Sequence, residues 1–98
     1  INKKKIVGIL IGNLPEGGVS TIFWVLVDKT YRNKGLGSNL IQSSVDFYIK
    51  KKSHKIKLTI CEESLISFYE KNEFRIEGIH KSHWWKTDFY SLARNLIL

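Results

Sequence analysis

The sequence predicts an α/β fold, a mixed sheet flanked by helices, with elements in the order β-β-α-β-α-β-β. Three observations carry this. Apolar, β-branched runs recur at strand length. One segment, residues 34–50, switches to a helical period. Turn chemistry rich in Gly, Pro and Asn separates the first two runs. With 98 residues the chain is long enough to close one core and too short for two, so residues 1–98 form a single domain. Its apolar share of 43% and aromatic share of 12% are those of a globular protein and argue against disorder.

The elements follow in order. Residues 4–11 are mostly apolar and β-branched, which predicts a strand in a sheet covered on both faces. In residues 13–18, Pro15 fixes one φ, and Gly17 and Gly18 supply positive φ, so the chain turns. Residues 19–27 return as the second strand of a hairpin. In the helix, Leu36, Leu40, Ile41, Val45, Tyr48 and Ile49 share a face, with Gln42, Ser43 and Asp46 largely opposite. A basic loop over 50–55 leads to residues 56–60, which alternate with period two. Ser64 is placed to cap a short helix carrying Leu65, Phe68 and Tyr69. Residues 74–80 and 88–93 read as two closing strands.

Composition also limits function. A net charge of +7 draws the chain towards phosphates, but the lysine runs at 3–5 and 50–52 read as solvated strand starts and loops. A nucleic-acid module has only this charge behind it, with no recognised motif, so no nucleic-acid partner is expected. One cysteine, Cys61, excludes an internal disulfide framework and fits a reducing, cytoplasmic setting; it reads as a small buried hydrophobe at a strand end. No apolar run approaches the roughly 18 residues a membrane span needs, and no signal-peptide layout is visible, so no membrane partner is expected. His80 and His83 have the spacing of two metal ligands, but no further ligand cluster accompanies them, and no metal is expected. Trp84 and Trp85 read as hydrophobic packing.

The segment YRNKGLGSNL, residues 31–40, sets a sharper question. Its glycines lie between a strand and a helix, where free N–H groups and the positive end of the helix dipole meet anions. A nucleoside-triphosphate loop requires Gly-Lys-Ser/Thr after a four-residue gap, which is absent. A dinucleotide fingerprint requires a third glycine where Leu40 stands. The pattern Arg/Gln-x-x-Gly-x-Gly/Ala is met at every defined position by Arg32, Gly35 and Gly37. It resembles the acetyl-coenzyme A signature of the GNAT family, the Gcn5-related N-acetyltransferases. The stretch VLVDKTYRNKGLG is similar to that family's fourth strand and pyrophosphate loop, and SFYEKNEF to its LYEKxGF segment. The tail HWWKTDFYSLARNL is similar to the closing hairpin of ribosomal-protein-alanine and other peptide amino-terminal acetyltransferases.

The resemblance implies an acyl-coenzyme A N-acyltransferase-like fold, mostly antiparallel, and an enzyme moving acetyl from acetyl-coenzyme A to a primary amine. The acceptor it suggests is a protein or peptide amino terminus. It implies that Val25, Leu26 and Val27 offer backbone groups to the pantetheine arm where their strand splays from residues 56–60. It implies that Asn33, Lys34, Gly35, Leu36, Gly37 and Ser38 cradle the pyrophosphate, with Arg32 and Lys34 adding positive charge. Gly35 and Gly37 would be needed because a Cβ would fill phosphate space or forbid the turn. Tyr69 takes the position of the tyrosine that protonates the departing thiolate. An unperturbed phenol, with a pKa of about 10, is protonated near neutrality and can do so.

Departures from the pattern matter too. Glu73 replaces the usual glycine before Phe74, and Glu62 stands where an asparagine often touches the cofactor. Glu62, Glu63, His80 and His83 are all candidates for a general base, with no choice among them. Relative to the family, a strand, one or two helices and another strand are missing before residue 4, so the chain resembles the C-terminal two-thirds or so of such a domain. That would leave the first strand as an apolar edge, to be covered by residues upstream of Ile1 or by a second copy. A dimer or higher oligomer is therefore expected. The alternative function is a non-catalytic acyl-coenzyme A binder acting with a partner.

Overall fold

A computed structural model describes residues 8–32 and 35–96. Five strands, β1 (Gly8–Gly12), β2 (Val19–Val27), β3 (Lys55–Ile60), β4 (Arg75–His80) and β5 (Phe89–Asn95), form one sheet in the order β1-β2-β3-β5-β4. Helices α1 (Leu36–Lys50) and α2 (Ile66–Lys71) follow β2 and β3 respectively. The predicted order of strands and helices holds. Every neighbouring pair is antiparallel except β2 and β3, which run parallel because α1 crosses over between them.

The core lies between the helices and one face of the sheet. Ile41, Val45 and Tyr48 of α1 meet Ile22, Ile56, Leu58 and Leu92 from the strands, and Tyr69 and Phe74 close the same cluster from α2 and its exit. The helical period placed these α1 residues correctly, but Ile49 lies at the edge of the stripe and is exposed. The predicted start of the helix at Lys34, and residues 4–7 of the first strand, lie outside the described residues.

One irregularity in β2 decides what faces where. Ile11 pairs with Trp24 but Gly12 pairs with Ile22, so Phe23 is an extra residue, a β-bulge. An inserted residue reverses the alternation beyond it. Before the bulge, Ser20 and Ile22 are buried; after it, Val25 packs against the core while Trp24 and Leu26 are exposed. The other side of this hairpin carries Ile9 and Ile11, 41% and 47% exposed. The expectation that this first strand is covered on both faces is therefore corrected. An all-apolar run has no period to report which face stays open.

The parallel pairing of β2 with β3 is short: Val19 with Lys55, Ser20 with Ile56 and Thr21 with Lys57. A buried polar cluster fixes it. Ser20 Oγ donates to Ser53 Oγ at 3.0 Å, and Ser53 Oγ lies 3.0 Å from both the Gly18 and Lys55 carbonyls. The Gly18 carbonyl also accepts from His54 N at 2.7 Å. Ser20 and Ser53 are fully buried, so these bonds have no water to replace them.

The turn before α2 departs from expectation. Residues Glu63–Leu65 form a 3-10 turn entered at Glu62, and α2 begins at Ile66 with no side-chain cap. Ser64 lies inside the turn and does not cap the helix, because the 3-10 turn has already satisfied Leu65 N through the Glu62 carbonyl at 3.0 Å. Cys61 is exposed where β3 ends, which corrects its reading as a buried residue. The last two strands are shifted slightly, running over Arg75–His80 and Phe89–Asn95.

Ser53→Ala should lower stability by about 1–3 kcal/mol, by leaving the Ser20 hydroxyl and two carbonyls short of a partner. Urea denaturation of the variant beside the wild type measures it, and an unchanged midpoint would remove the cluster's anchoring role.

Candidate functional site

Beyond Thr21 and Lys57 the two central strands part, so the edge of β2 over Val25, Leu26 and Val27 has no strand partner from β3. A cleft of about 560 Å³ opens there on the helix side. Val25 and Val27 form one wall; Leu36, Gly37 and Ser38 of α1 form the floor; Leu65, Phe68, Tyr69 and Lys71 form the opposite wall. Leu26 points to the other face of the sheet, so only its backbone bears on the cleft edge.

The mouth is built from the loop between β2 and α1. Asp28 accepts from Thr30 N at 3.0 Å and starts a short 3-10 turn, Lys29–Tyr31. Arg32 then folds back, its Nε donating to the Val27 carbonyl at 3.1 Å, which holds the guanidinium beside the cleft. Gly35 enters α1 at φ 77°, a left-handed conformation that would strain any residue with a Cβ. No side chain caps the helix, so the N–H groups of its first turn stay available to an external acceptor. A Cβ on Gly35 would meet nothing within 4 Å, so the space before the helix is open. Among the described lining residues two are cations, Arg32 and Lys71, and none is an acid. Asn33 and Lys34 lie outside the described residues.

Gly37 has a different reason from the expected one. Its φ is not positive, and a Cβ there would come within 3.1 Å of the Phe68 ring. The glycine lets α1 sit against α2, and Phe68 in turn walls the cleft. Asn72 ties the same elements together: its Nδ2 donates to Ser38 Oγ at 3.2 Å and to the Phe68 carbonyl at 2.9 Å. Its carbonyl accepts from Arg94 Nη1 of β5 at 3.1 Å.

Glu73 keeps the turn in which glycine was expected. It adopts φ 68°, and Phe74 N and Glu73 N donate to the Tyr69 and Glu70 carbonyls, each at 3.0 Å. This is a Schellman exit with glutamate in the left-handed position. Its carboxylate pairs with Arg94 Nη2 at 2.9 Å, a partly exposed contact worth little in itself. Glu62 is exposed and is not a lining residue, so the anomaly of an acid in the cleft does not arise.

Tyr69 is only 7% exposed, and its ring packs edge-on against Phe68 and Phe74. Among the described residues it has no hydrogen-bond partner, and no buried side-chain oxygen or nitrogen goes unpaired. Its hydroxyl must therefore reach open space, and the cleft is the space its side chain lines. Burial pushes its pKa above the ordinary 10.0, so the phenol holds its proton throughout the neutral range. A buried ring with a free, protonated hydroxyl at a cleft can donate a proton to a leaving group.

The remaining candidates stand elsewhere. His80 and His83 are in ring contact, centroids 5.1 Å apart, in and after β4. Among the described residues no group of three or more His, Cys, Asp or Glu is placed to hold a metal, and no helix is long and apolar enough to cross a membrane. Trp84 packs edge-on to Phe89 at 5.0 Å but is half exposed, and Trp85, at φ 54°, is 87% exposed, which corrects its reading as packing. The sequence reading missed Lys71 and Asn72. Both follow Tyr69 within one helical turn, a spacing that could have flagged them.

A family model described as the acetyltransferase (GNAT) family matches residues 1–74. The chain belongs to this family. Solved structures agree with the fold. The Bacillus subtilis acetyltransferase in complex with CoA superposes at TM-score 0.87 with 17% identity, covering 99% of this chain and 74% of that one. The ribosomal-protein-S18-alanine N-acetyltransferase from Escherichia coli gives 0.86 at 20% identity, covering 100% and 66%. Ard1 from Thermoplasma volcanium gives 0.85 at 21%, covering 94% and 64%. The chain thus spans about two thirds of the length of the last two. No curated protein matches its sequence closely.

Proposed function

We propose that this chain binds acetyl-coenzyme A and transfers its acetyl group to a primary amine by direct attack in a ternary complex. The observation that carries the reading is the single cleft that joins three features: an uncapped helix N-terminus with a left-handed glycine, an unpaired strand edge and the Tyr69 hydroxyl. The first suits a pyrophosphate, and Arg32 adds charge beside it. The second suits a pantetheine amide chain, which can pair with β2 as a strand would. Solved relatives of the same fold contain CoA or acetyl coenzyme A, which supports the choice of co-substrate.

In this reading the N–H groups of the Val25–Val27 segment that point away from β1 stabilise the oxyanion as the amine attacks the thioester carbonyl. The C–S bond then breaks, and Tyr69 delivers its proton to the sulfur. A protein or peptide amino terminus is the proposed acceptor, supported by the likeness of fold to the S18-alanine enzyme and Ard1. A cytoplasmic setting is part of the proposal, since a reducing compartment keeps an exposed, unpaired thiol such as Cys61 reduced. A second copy of the chain is proposed to pair along the open β1 edge and its exposed Ile9 and Ile11. Light scattering at high concentration should find a dimer or larger species; a monodisperse monomer would count against the pairing.

Two substitutions test the chemistry. Gly37→Val should fold yet lose coenzyme A affinity at least about tenfold, because the branched side chain displaces Phe68 from the cleft wall. Undiminished binding by calorimetry would remove this helix start from the cofactor site. Tyr69→Phe keeps the buried ring, so stability and acetyl-coenzyme A affinity should hold while turnover falls about 10²–10⁴-fold. An unchanged rate of thiol release, with chemistry rate-limiting, would rule out the acid role. A non-catalytic binder would instead bind acetyl-coenzyme A and release no thiol with any amine.

A further inference from the structure

The parted strands have a second mouth. On the sheet face away from the helices, a cleft of about 450 Å³ has Thr21, Phe23, Lys57, Glu77, Ser91 and Trp84 among its lining residues. Thr21 and Lys57 are the last paired residues of β2 and β3, so this cleft begins where the gap between those strands begins. The proposed cofactor occupies the helix side of the gap, so a second reactant can reach the same gap from this face without displacing it.

Ser91 stands at the wall of this cleft, and His80 lies behind it, outside the lining. His80 Nε2 lies 2.7 Å from Ser91 Oγ, and Ser91 is opposite Thr59 in the β3–β5 ladder. His80 pairs with Phe89 in register, which puts it on the same face as Ser91 two residues along β5. Its ring is steadied on its other side by His83. His80 is exposed, so a proton taken by Nε2 can pass on to solvent. Of the four sequence candidates for a base, this is the one with a hydrogen bond into a cleft at the strand gap.

We infer that Ser91 and His80 form the relay that removes the proton from the incoming amine, with Ser91 in contact with the acceptor and His80 acting through it. The inference rests on the acetyltransferase reading above. An amine near neutrality is largely protonated and has no lone pair to attack with, since α-amino groups have pKa values of about 7.7–8.0. In the relay, an N–H proton of the amine passes to Ser91 Oγ as the Ser91 hydroxyl proton passes to His80 Nε2. The nitrogen forms its bond to the carbonyl carbon, the C–S bond breaks, and the sulfur takes the Tyr69 proton. The acylated nitrogen loses its second surplus proton to water, His80 releases the one it took, and the tyrosinate takes one up, so each transfer ends in a neutral amide, a thiol and one proton released. The charged and titratable groups around His80 are His83, the Lys81–Asp88 pair in the turn that follows, Lys57 on the cleft wall, and Glu77, which is paired with Lys55 at 2.9 Å. Asp88 stays ionised, its pKa lowered by the Ser82 N–H and by Lys81.

The test uses the whole chain with acetyl-coenzyme A and a short peptide bearing a free amino terminus, following thiol release against pH. For the wild type, kcat should rise along an acid limb to a plateau, because the group that takes the amine's proton must itself be unprotonated to act. His80→Gln should lose that limb and about 10²-fold in kcat at pH 7, with coenzyme A affinity unchanged by calorimetry. Ser91→Ala should lose a similar factor. Wild-type kcat and an intact limb in His80→Gln, with chemistry rate-limiting, would overturn the relay and leave the acetyltransferase reading standing. Coenzyme A binding without thiol release in the wild type would overturn that reading, and the relay with it.

Discussion

The site depends on where two parallel strands stop pairing. β2 and β3 share three residue pairs, locked at the base by the buried Ser20–Ser53–Gly18 cluster, and then diverge. Without the lock the strands have no fixed point from which to part. Without the parting there is neither an unpaired β2 edge nor an opening through the sheet. The Phe23 bulge works in the same place, since a bulge adds local twist and turns the end of β2 away from the regular ladder. It also reassigns the side chains, so that Val25 and Val27 face the cleft.

Packing then carries this geometry outward to the chemistry. Gly37 allows α1 and α2 to meet through Phe68, and Asn72 spans from Ser38 to the backbone that Arg94 holds from β5. The uncapped start of α1 and the helix that presents Tyr69 are thus parts of one packed contact. The strained Glu73 turn has a place in it, because it delivers Phe74 into the core directly after Tyr69. Left-handed backbone costs a non-glycine residue roughly 1–2 kcal/mol, and full burial of the Phe74 ring offsets that.

Much of this was legible in the sequence. The helical stripe of α1, the alternation of β3 and the glycine loop each follow a period or a motif, and these placed the elements and most of the cleft. What was hidden has physical reasons. The run Ile22 to Val27 is apolar throughout, so it carries no sign of the bulge at Phe23 or of the face left open. Ser53 looks like a loop serine, because its partners are 33 and 35 residues away. Ser64 has the right chemistry for a cap, yet the 3-10 turn that absorbs it is set by backbone contacts. Ser91 and His80 belong to different strands and meet only through a register that the bulge near Glu77 shifts.

The unpaired edge of β2 also has a thermodynamic meaning. A sheet with an interior gap is a folded state with unused hydrogen-bonding capacity at its centre, where the unfolded chain offers no equivalent surface. Whatever fills that gap binds the native chain alone, and its affinity is thereby linked to the folding equilibrium. A ligand at 100 times its Kd adds about 2.7 kcal/mol to stability, a sizeable share of what holds a domain of this length together. Amides along the gap are where slowed hydrogen exchange would register the change.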